Sequence, residues 1–168
     1  MTLHAFIEYV RYKLSAKKLH GVHSPFVYNF SEEVLYSRSI IPTQLALPAG
    51  TLSPKYVDLA NAIKTHYGCH NPLLLSTKTA NDNLKYDLVI MTEKNPGKWV
   101  QLFNNSYNQF SDEYILIVSE IHATKRYSKK WRRLYTHPKI LLSIDLYGLG
   151  IIFMRKEFKE KQHFVLKY

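Results

Sequence analysis

Two apolar segments decide the fold class of this chain: YDLVIM at residues 86–91 and YILIV at residues 114–118. Both are hydrophobic at consecutive positions, which is typical of strands in the middle of a parallel sheet that helices cover on both faces. Between them, Asn95-Pro96 can begin a helix. Its inward face is predicted to carry Trp99, Leu102, Phe103 and Phe110. The order strand, helix, strand predicts an open α/β sheet.

Shorter elements extend this pattern in both directions. Upstream, Ser53-Pro54 can open a helix that Gly68 closes, and residues 128–136 predict a further helix downstream. The other strands are predicted at residues 73–76, 140–146, 149–155 and, as an edge strand, 162–167. A tight turn at Tyr147-Gly148 makes the pair 140–146 and 149–155 an antiparallel hairpin. The prediction is a sheet of about five strands that ends in this hairpin.

The connection between the first two strands is short. Only nine residues, 77–85, separate residues 73–76 from residues 86–91. A parallel pair normally needs a crossover of about a dozen residues or more. We expect the two strands to lie side by side with an irregular connection, and an antiparallel or unpaired first segment is the alternative.

The N-terminal part, residues 1–52, is predicted to be a helical extension and loop that forms one compact unit with an α/β domain at residues 53–168. Its first helix has apolar residues at helical spacing on one side, at Leu3, Phe6, Ile7, Val10 and Leu14. This side is expected to pack against the domain or against a second copy of the chain. The alternative is that the helix lies on an acidic membrane surface through Arg11, Lys13, Lys17 and Lys18.

Composition limits the class of protein. Hydrophobic residues make up 46% and charged residues 21% of the 168 residues, which excludes a disordered or low-complexity chain. The formal net charge of +10 attracts polyanions at long range. The single cysteine, Cys69, excludes an internal disulfide and fits a reducing compartment. Since no apolar run is long enough to cross a bilayer, we expect a soluble cytoplasmic protein.

Several longer segments resemble one family. They are HGVHSPFVYNF at 20–30, SPKYVDLANAI at 53–63, KYDLVIM at 85–91, IVSEIH at 117–122, HPKILLSIDLYGLGIIFMRKE at 137–157 and QHFVLKY at 162–168. In these segments the chain resembles the small class I S-adenosylmethionine-dependent methyltransferases of Bacteroidetes. The resemblance implies a Rossmann-like sheet whose last strand is antiparallel and inserts beside its neighbours.

The chain departs from this family where the cofactor binds. The family has an acidic residue and a Gly-rich turn after its first strand, whereas residues 73–79 read LLLSTKT. Two strand–helix units, with the acidic residue that holds the ribose hydroxyls, have no counterpart between Ser76 and Tyr86. Thr92 and Asn95 replace an Asp and a His, and Ser119-Glu120 replaces an acidic pair.

These departures predict a degenerate, truncated methyltransferase without catalytic activity and without a cofactor or metal. Such a protein would act as a binding or assembly module for an unknown protein partner or for a second copy of the chain. The vestigial cofactor site would consist of Ser76, Thr77, Thr92 and Ser119. The alternative is a residually active O-methyltransferase that still uses S-adenosylmethionine. In that case Glu120 and His122 are the candidate base or ligands.

A basic segment suggests another alternative, nucleic-acid binding. Six cations occur within nine residues, at Lys125, Arg126, Lys129, Lys130, Arg132 and Arg133. The aromatic residues between them, Tyr127, Trp131 and Tyr135, could stack on bases. The other interpretation is a helix whose aromatic residues anchor it in the core and whose cations are solvated.

Two groups of histidines are the remaining candidate sites. The histidine groups His20/His23 and His66/Cys69/His70 lack the ligands of a metal site. No sequence motif for nucleophilic catalysis is present.

Overall fold

The computed structural model describes residues 3–17, 23–37, 45–77 and 83–168. Within them, the helices are α1 Leu3–Ser15, α2 Pro25–Phe30, α3 Pro54–His66, α4 Trp99–Ser106 and α5 Lys125–Tyr135. A π-helical turn, Ser31–Leu35, continues α2. The strands are β1 Pro72–Leu75, β2 Tyr86–Met91, β3 Phe110–Ser119, β4 Leu142–Asp145, β5 Leu149–Met154 and β6 Gln162–Val165. Lys18, His20 and the tip of the β1–β2 connection lie outside these ranges. Every described helix is too short or too polar to span a bilayer.

The six strands form one mixed sheet in the order β1-β2-β3-β5-β4-β6. Strands β1, β2 and β3 are parallel, β5 is antiparallel to both of its neighbours, and β6 is parallel to β4. The α/β class and the terminal hairpin are therefore confirmed. The sheet has six strands because the predicted edge strand forms and pairs with β4.

The expected pairing of the first two strands is confirmed. Leu73 pairs with Val89 and Leu75 with Met91, in parallel register. The described ends of the connection, at 76–77 and 83–85, contain no helix or strand. The nine-residue link is therefore compatible with two short parallel strands.

Helices cover both faces of the sheet, which explains the unbroken apolar runs. Along β2, Leu88 and Ile90 face one hydrophobic cluster, to which α2 and α3 contribute. Val89 and Met91 face the other cluster, to which α4 and α5 contribute. Successive side chains of a strand point to opposite faces, so a sheet buried on both sides needs apolar residues at every position.

The helix predicted after Asn95-Pro96 is shorter than expected. It ends at Ser106, and Phe110 is the first residue of β3 rather than a residue of the helix face. A turn at Tyr107–Gln109 brings the chain back to the sheet. Phe110 is still buried and its ring lies 5.9 Å from that of Phe103, so its apolar character serves the same cluster from a strand.

The first helix contacts the domain through the side opposite to the one predicted. Phe6 is 50% exposed and Leu14 is 82% exposed, whereas Tyr12 is buried. The Tyr12 hydroxyl donates to the carbonyl of Leu166 at 2.7 Å and accepts from the N–H of Tyr168 at 2.9 Å. The side chains of an aliphatic stripe cannot form hydrogen bonds with the backbone groups beside an edge strand, whereas the hydroxyl of a tyrosine can. Packing of the stripe on the domain was therefore a wrong expectation, and packing on a second copy stays a prediction.

This orientation predicts opposite outcomes for two neighbouring substitutions. Tyr12→Phe should lower the free energy of unfolding by about 1–3 kcal/mol, because two backbone groups lose their partner. Leu14→Ser should change it by less than about 0.5 kcal/mol, because its side chain is already in water. Urea unfolding followed by circular dichroism measures both. A larger loss for Leu14→Ser would show that the stripe is covered in solution.

Candidate functional site

A cavity lies where the three parallel strands end. In open α/β sheets, ligands bind at the carboxyl ends of the strands, because the loops that follow them converge there. Three of the four predicted vestigial residues, Ser76, Thr92 and Ser119, line a cavity of about 470 Å³, together with residues 48–51. The fourth, Thr77, hydrogen-bonds to Glu93. The space at this edge is therefore open and has not been filled by side chains.

The end of β1 is tied to the end of β2. Both the backbone N–H and the Oγ1 of Thr92 donate to the carbonyl oxygen of Leu75, at 2.9 and 3.1 Å. The residues that follow β1, Ser76 and Thr77, both carry side chains. Beside the open cavity, the backbone at the end of β1 is therefore tied to β2, and the two positions after it carry side chains.

The loop after β2 is held by contacts to α4 and α5. The indole Nε1 of Trp99 donates to the carbonyl of Glu93 at 2.9 Å, and the hydroxyl of Tyr127 donates to the carbonyl of Lys94 at 2.6 Å. The pKa of Glu93 is lowered because the backbone N–H of Asn95 and the side chain of Thr77 donate to its carboxylate. The cavity therefore has a fixed carboxylate on its β2 side.

The loop after β3 contains strained backbone. Glu120 has φ +58° and Tyr147, in the β4–β5 turn, has φ +68°. These are left-handed conformations that non-glycine residues rarely adopt, at a cost of about 1–3 kcal/mol each. The N–H of Glu120 donates to the carbonyl of Gly148 at 2.7 Å, which joins the two loops. Such strain is concentrated at functional sites.

Glu120 and His122, the predicted candidate pair, line a second cavity of about 660 Å³. Ser119 and Glu120 border both cavities. The structure therefore brings the two candidates to one space, which Ser119 of the predicted cofactor site also borders.

His122 is fixed by a residue that the sequence analysis missed. Its Nε2 lies 2.7 Å from Oδ2 of Asp145, and its Nδ1 lies 2.8 Å from Oγ of Ser128. Asp145 also accepts from Nε1 of Trp131 at 3.2 Å and from the N–H of Tyr147 at 2.8 Å. A carboxylate at the end of a buried apolar strand is costly unless it is hydrogen-bonded, and this signal could have identified Asp145 from the sequence.

The six cations of α5 point to different sides of the helix. Lys125, Lys129 and Arg132 line a groove that residues of α1 also line. Lys130 and Arg133 line a smaller depression that also involves α4, and Nη2 of Arg126 donates to Oδ1 of Asn95 at 2.9 Å.

The aromatic residues of the same segment contact the protein: Trp131 is buried, the Tyr127 hydroxyl is bonded to Lys94, and Tyr135 stacks on His163 at 4.0 Å. A nucleic-acid strand would therefore meet the cations of this helix rather than its aromatic rings.

The cysteine and histidines near the end of α3 have structural contacts. His66 lies 3.4 Å from the carboxylate of Glu33, and the backbone N–H of His70 donates to Asp87 at 2.8 Å. Cys69 is buried, and burial raises the pKa of its thiol to about 11. In the part of the chain that the structure describes, no group of three His, Cys, Asp or Glu side chains is arranged to hold a metal ion.

Comparison of the sequence with protein-family models found no match. Searches of the curated proteins and of the solved structures found no match either.

Proposed function

We propose that this chain is a methyltransferase-like protein that has lost S-adenosylmethionine-dependent catalysis and acts as a binding module. Its ligand site is the 470 Å³ cavity at the carboxyl ends of β1, β2 and β3. This open cavity is the observation that carries the proposal. Its volume is within the range of about 300–1,000 Å³ that is usual for small-molecule sites.

The strand order supports the methyltransferase-like part of the proposal. Strand β5 lies between β3 and β4 and is antiparallel to both, which is the arrangement that the family resemblance implies. The chain between β1 and β2 is too short for the two further strand–helix units of that family. A sheet of this kind without those units keeps its carboxyl edge but lacks the part that surrounds a nucleoside.

The residues at this edge do not fit S-adenosylmethionine. The methionine part of that cofactor needs a bare backbone turn after β1, and Ser76 and Thr77 follow β1 here. The carbonyl of Leu75 already accepts two hydrogen bonds from Thr92. The carboxylate of Glu93 accepts from Asn95 and Thr77, so it is not free for ribose hydroxyls.

The ligand that suits the cavity is a small polar molecule. Hydroxyl groups from Ser76, Thr92 and Ser119 line it, together with the charged side chains of Glu93, Lys94 and Glu120. A few converging polar groups of this kind fix the orientation of a small ligand, while the apolar contacts, here from Leu74, Met91 and Trp99, contribute most of the affinity.

Isothermal titration calorimetry with S-adenosylmethionine and S-adenosylhomocysteine tests the loss of the cofactor site. We expect no binding at micromolar concentrations, because the turn and the ribose ligand are missing. Circular dichroism on the same sample shows that the protein is folded. A functional methyltransferase titrated in parallel shows that the ligand solutions are competent to bind. Micromolar binding would overturn the proposal. Methyl transfer to a catechol that disappears in Glu120→Gln would instead support the alternative, a residually active enzyme.

A thermal-shift screen of small polar metabolites tests the binding role. A ligand of the cavity should raise the melting temperature of the natural protein but not that of Ser119→Leu, whose larger side chain projects into the space. Asn104→Leu is the matched control, because Asn104 is exposed on α4 outside this cavity. A ligand that stabilises all three proteins equally binds elsewhere, which would count against the cavity as the site.

A further inference from the structure

A serine, a histidine and an aspartate form a continuous hydrogen-bonded chain beside the groove between α1 and α5. Oγ of Ser128 lies 2.8 Å from Nδ1 of His122, and Nε2 of His122 lies 2.7 Å from Oδ2 of Asp145. All three residues line the groove, whose volume is about 790 Å³. Among the described residues, none borders both this groove and the 470 Å³ cavity, while His122 also lines the 660 Å³ cavity.

The hydrogen bonds of Asp145 determine which nitrogen of His122 carries the proton. Its Oδ1 accepts from the N–H of Tyr147, and its Oδ2 accepts from Nε1 of Trp131, groups that can only donate. Asp145 is therefore an acceptor on both oxygens, and the His122 tautomer that can donate to it carries its proton on Nε2. In that tautomer Nδ1 has an electron pair that can accept the hydroxyl proton of Ser128. A general base needs this arrangement in order to activate a hydroxyl group.

Three cations occur on the same side of α5 as Ser128. Relative to Ser128, Lys125 lies three residues earlier, Lys129 one residue later and Arg132 four residues later. All three side chains line the groove. Arg11 of α1 also lines the groove and forms a salt bridge with Glu8 at 2.9 Å. The other carboxylate oxygen of Glu8 lies 3.9 Å from Nδ1 of His122. The net positive charge can hold an anionic substrate and can stabilise the negative charge that develops on a carbonyl oxygen.

We infer that Ser128 is a nucleophile for the hydrolysis of small esters whose acyl group carries a carboxylate. Oγ of Ser128 forms a bond to the ester carbonyl carbon while its proton moves to Nδ1 of His122. The C–O bond to the alcohol then breaks, and the alcohol leaves with the proton from His122. Water attacks the acyl-serine in the second half of the reaction, gives its proton to His122, and the carboxylic acid leaves as Ser128 regains its hydrogen.

The arrangement differs from the serine hydrolase triad in which ring nitrogen faces each partner. There the aspartate contacts Nδ1 and the serine contacts Nε2, whereas the two nitrogens have exchanged roles here. The chemistry is preserved, because either ring nitrogen can act as a base when the other donates to a carboxylate. Asp145 is thus a positioning residue, which fixes the tautomer and the orientation of the ring.

A fluorophosphonate probe, followed by mass spectrometry, tests this inference on the natural protein. Such a probe phosphonylates an activated serine with loss of fluoride, and we expect the added mass on Ser128. Labelling should be absent in Ser128→Ala and at least tenfold slower in His122→Gln. Ser111→Ala is the control, because Ser111 lies in β3 and is not among the residues that line the groove. It should label at the natural rate.

Ester hydrolysis provides the second measurement. We expect 4-nitrophenyl hydrogen adipate, which is anionic, to be cleaved with at least tenfold higher kcat/KM than 4-nitrophenyl acetate. Asp145→Asn should lower kcat and leave KM unchanged, which a general loss of structure would not do; melting curves show that each variant is folded. Absence of label on Ser128 in the natural protein, or equal labelling in His122→Gln, would overturn the inference.

Discussion

Replacing Trp131 with alanine should lower the free energy of unfolding by about 3–5 kcal/mol. The indole is 1% exposed and belongs to the cluster between α4, α5 and the sheet. Its loss leaves a large cavity and also removes the donor that contacts Asp145. Urea unfolding followed by fluorescence and circular dichroism measures the change. Arg133→Ala is the control, because this exposed neighbour on α5 should alter stability by less than about 0.5 kcal/mol.

A second variant separates packing from hydrogen bonding at this position. Trp131→Phe keeps much of the apolar volume but cannot donate to Asp145, so its cost should be smaller than that of the alanine variant. A loss below about 1 kcal/mol for Trp131→Ala would contradict the burial of the indole, since such a small effect is typical of exposed positions.

Gly150→Ala should lower the free energy of unfolding by about 1–3 kcal/mol, because a methyl group at this position overlaps the same indole. A Cβ built on Gly150 lies 2.5 Å from Cη2 of Trp131, closer than atoms of this kind approach. Gly150 is in β5, in the middle of the sheet, and the ring belongs to a packed helix. Neither side can move away easily, so the strain is expected to persist in the folded state.

A double-mutant cycle tests the cause of this effect. In the Trp131→Ala background the ring is absent, so the further substitution Gly150→Ala should cost less than about 0.5 kcal/mol. The two changes would then be strongly non-additive, as expected for residues in direct contact. Additive losses would mean that Gly150 is needed for the strand backbone itself, and the steric explanation would be wrong.

The fold could be predicted from the sequence where a single physical requirement, such as burial of both faces of a sheet, determines the hydrophobic pattern. The runs at residues 86–91 and 114–118 are apolar throughout because both faces of the sheet are buried, and this is visible without a structure. The hairpin was predictable for the same local reason, since a turn joins its two strands. The orientation of α1 was not, because it depends on backbone groups near Leu166 that only tertiary structure brings to Tyr12.

In the candidate site, too, some residues could be identified from the sequence and others could not. Glu120 and His122 were identifiable because they directly follow a predicted strand, where sheet proteins bind ligands. Asp145 is 23 residues from His122 in the chain, and the insertion of β5 beside β3 determines how the two loops meet. Ser128 is an ordinary helix residue by every local criterion. Its relation to His122 appears only when α5 is packed on the sheet.

The anchoring of α1 on distant residues has a consequence for biosynthesis. Tyr12 bonds to Leu166, a separation of 154 positions in the chain. At a translation rate of about 5–20 residues per second, the docking partner of this helix leaves the ribosome roughly 8–30 s after the helix itself. During that interval Tyr12 lacks its docking partner, so this side of the helix stays uncovered until Leu166 has been synthesised.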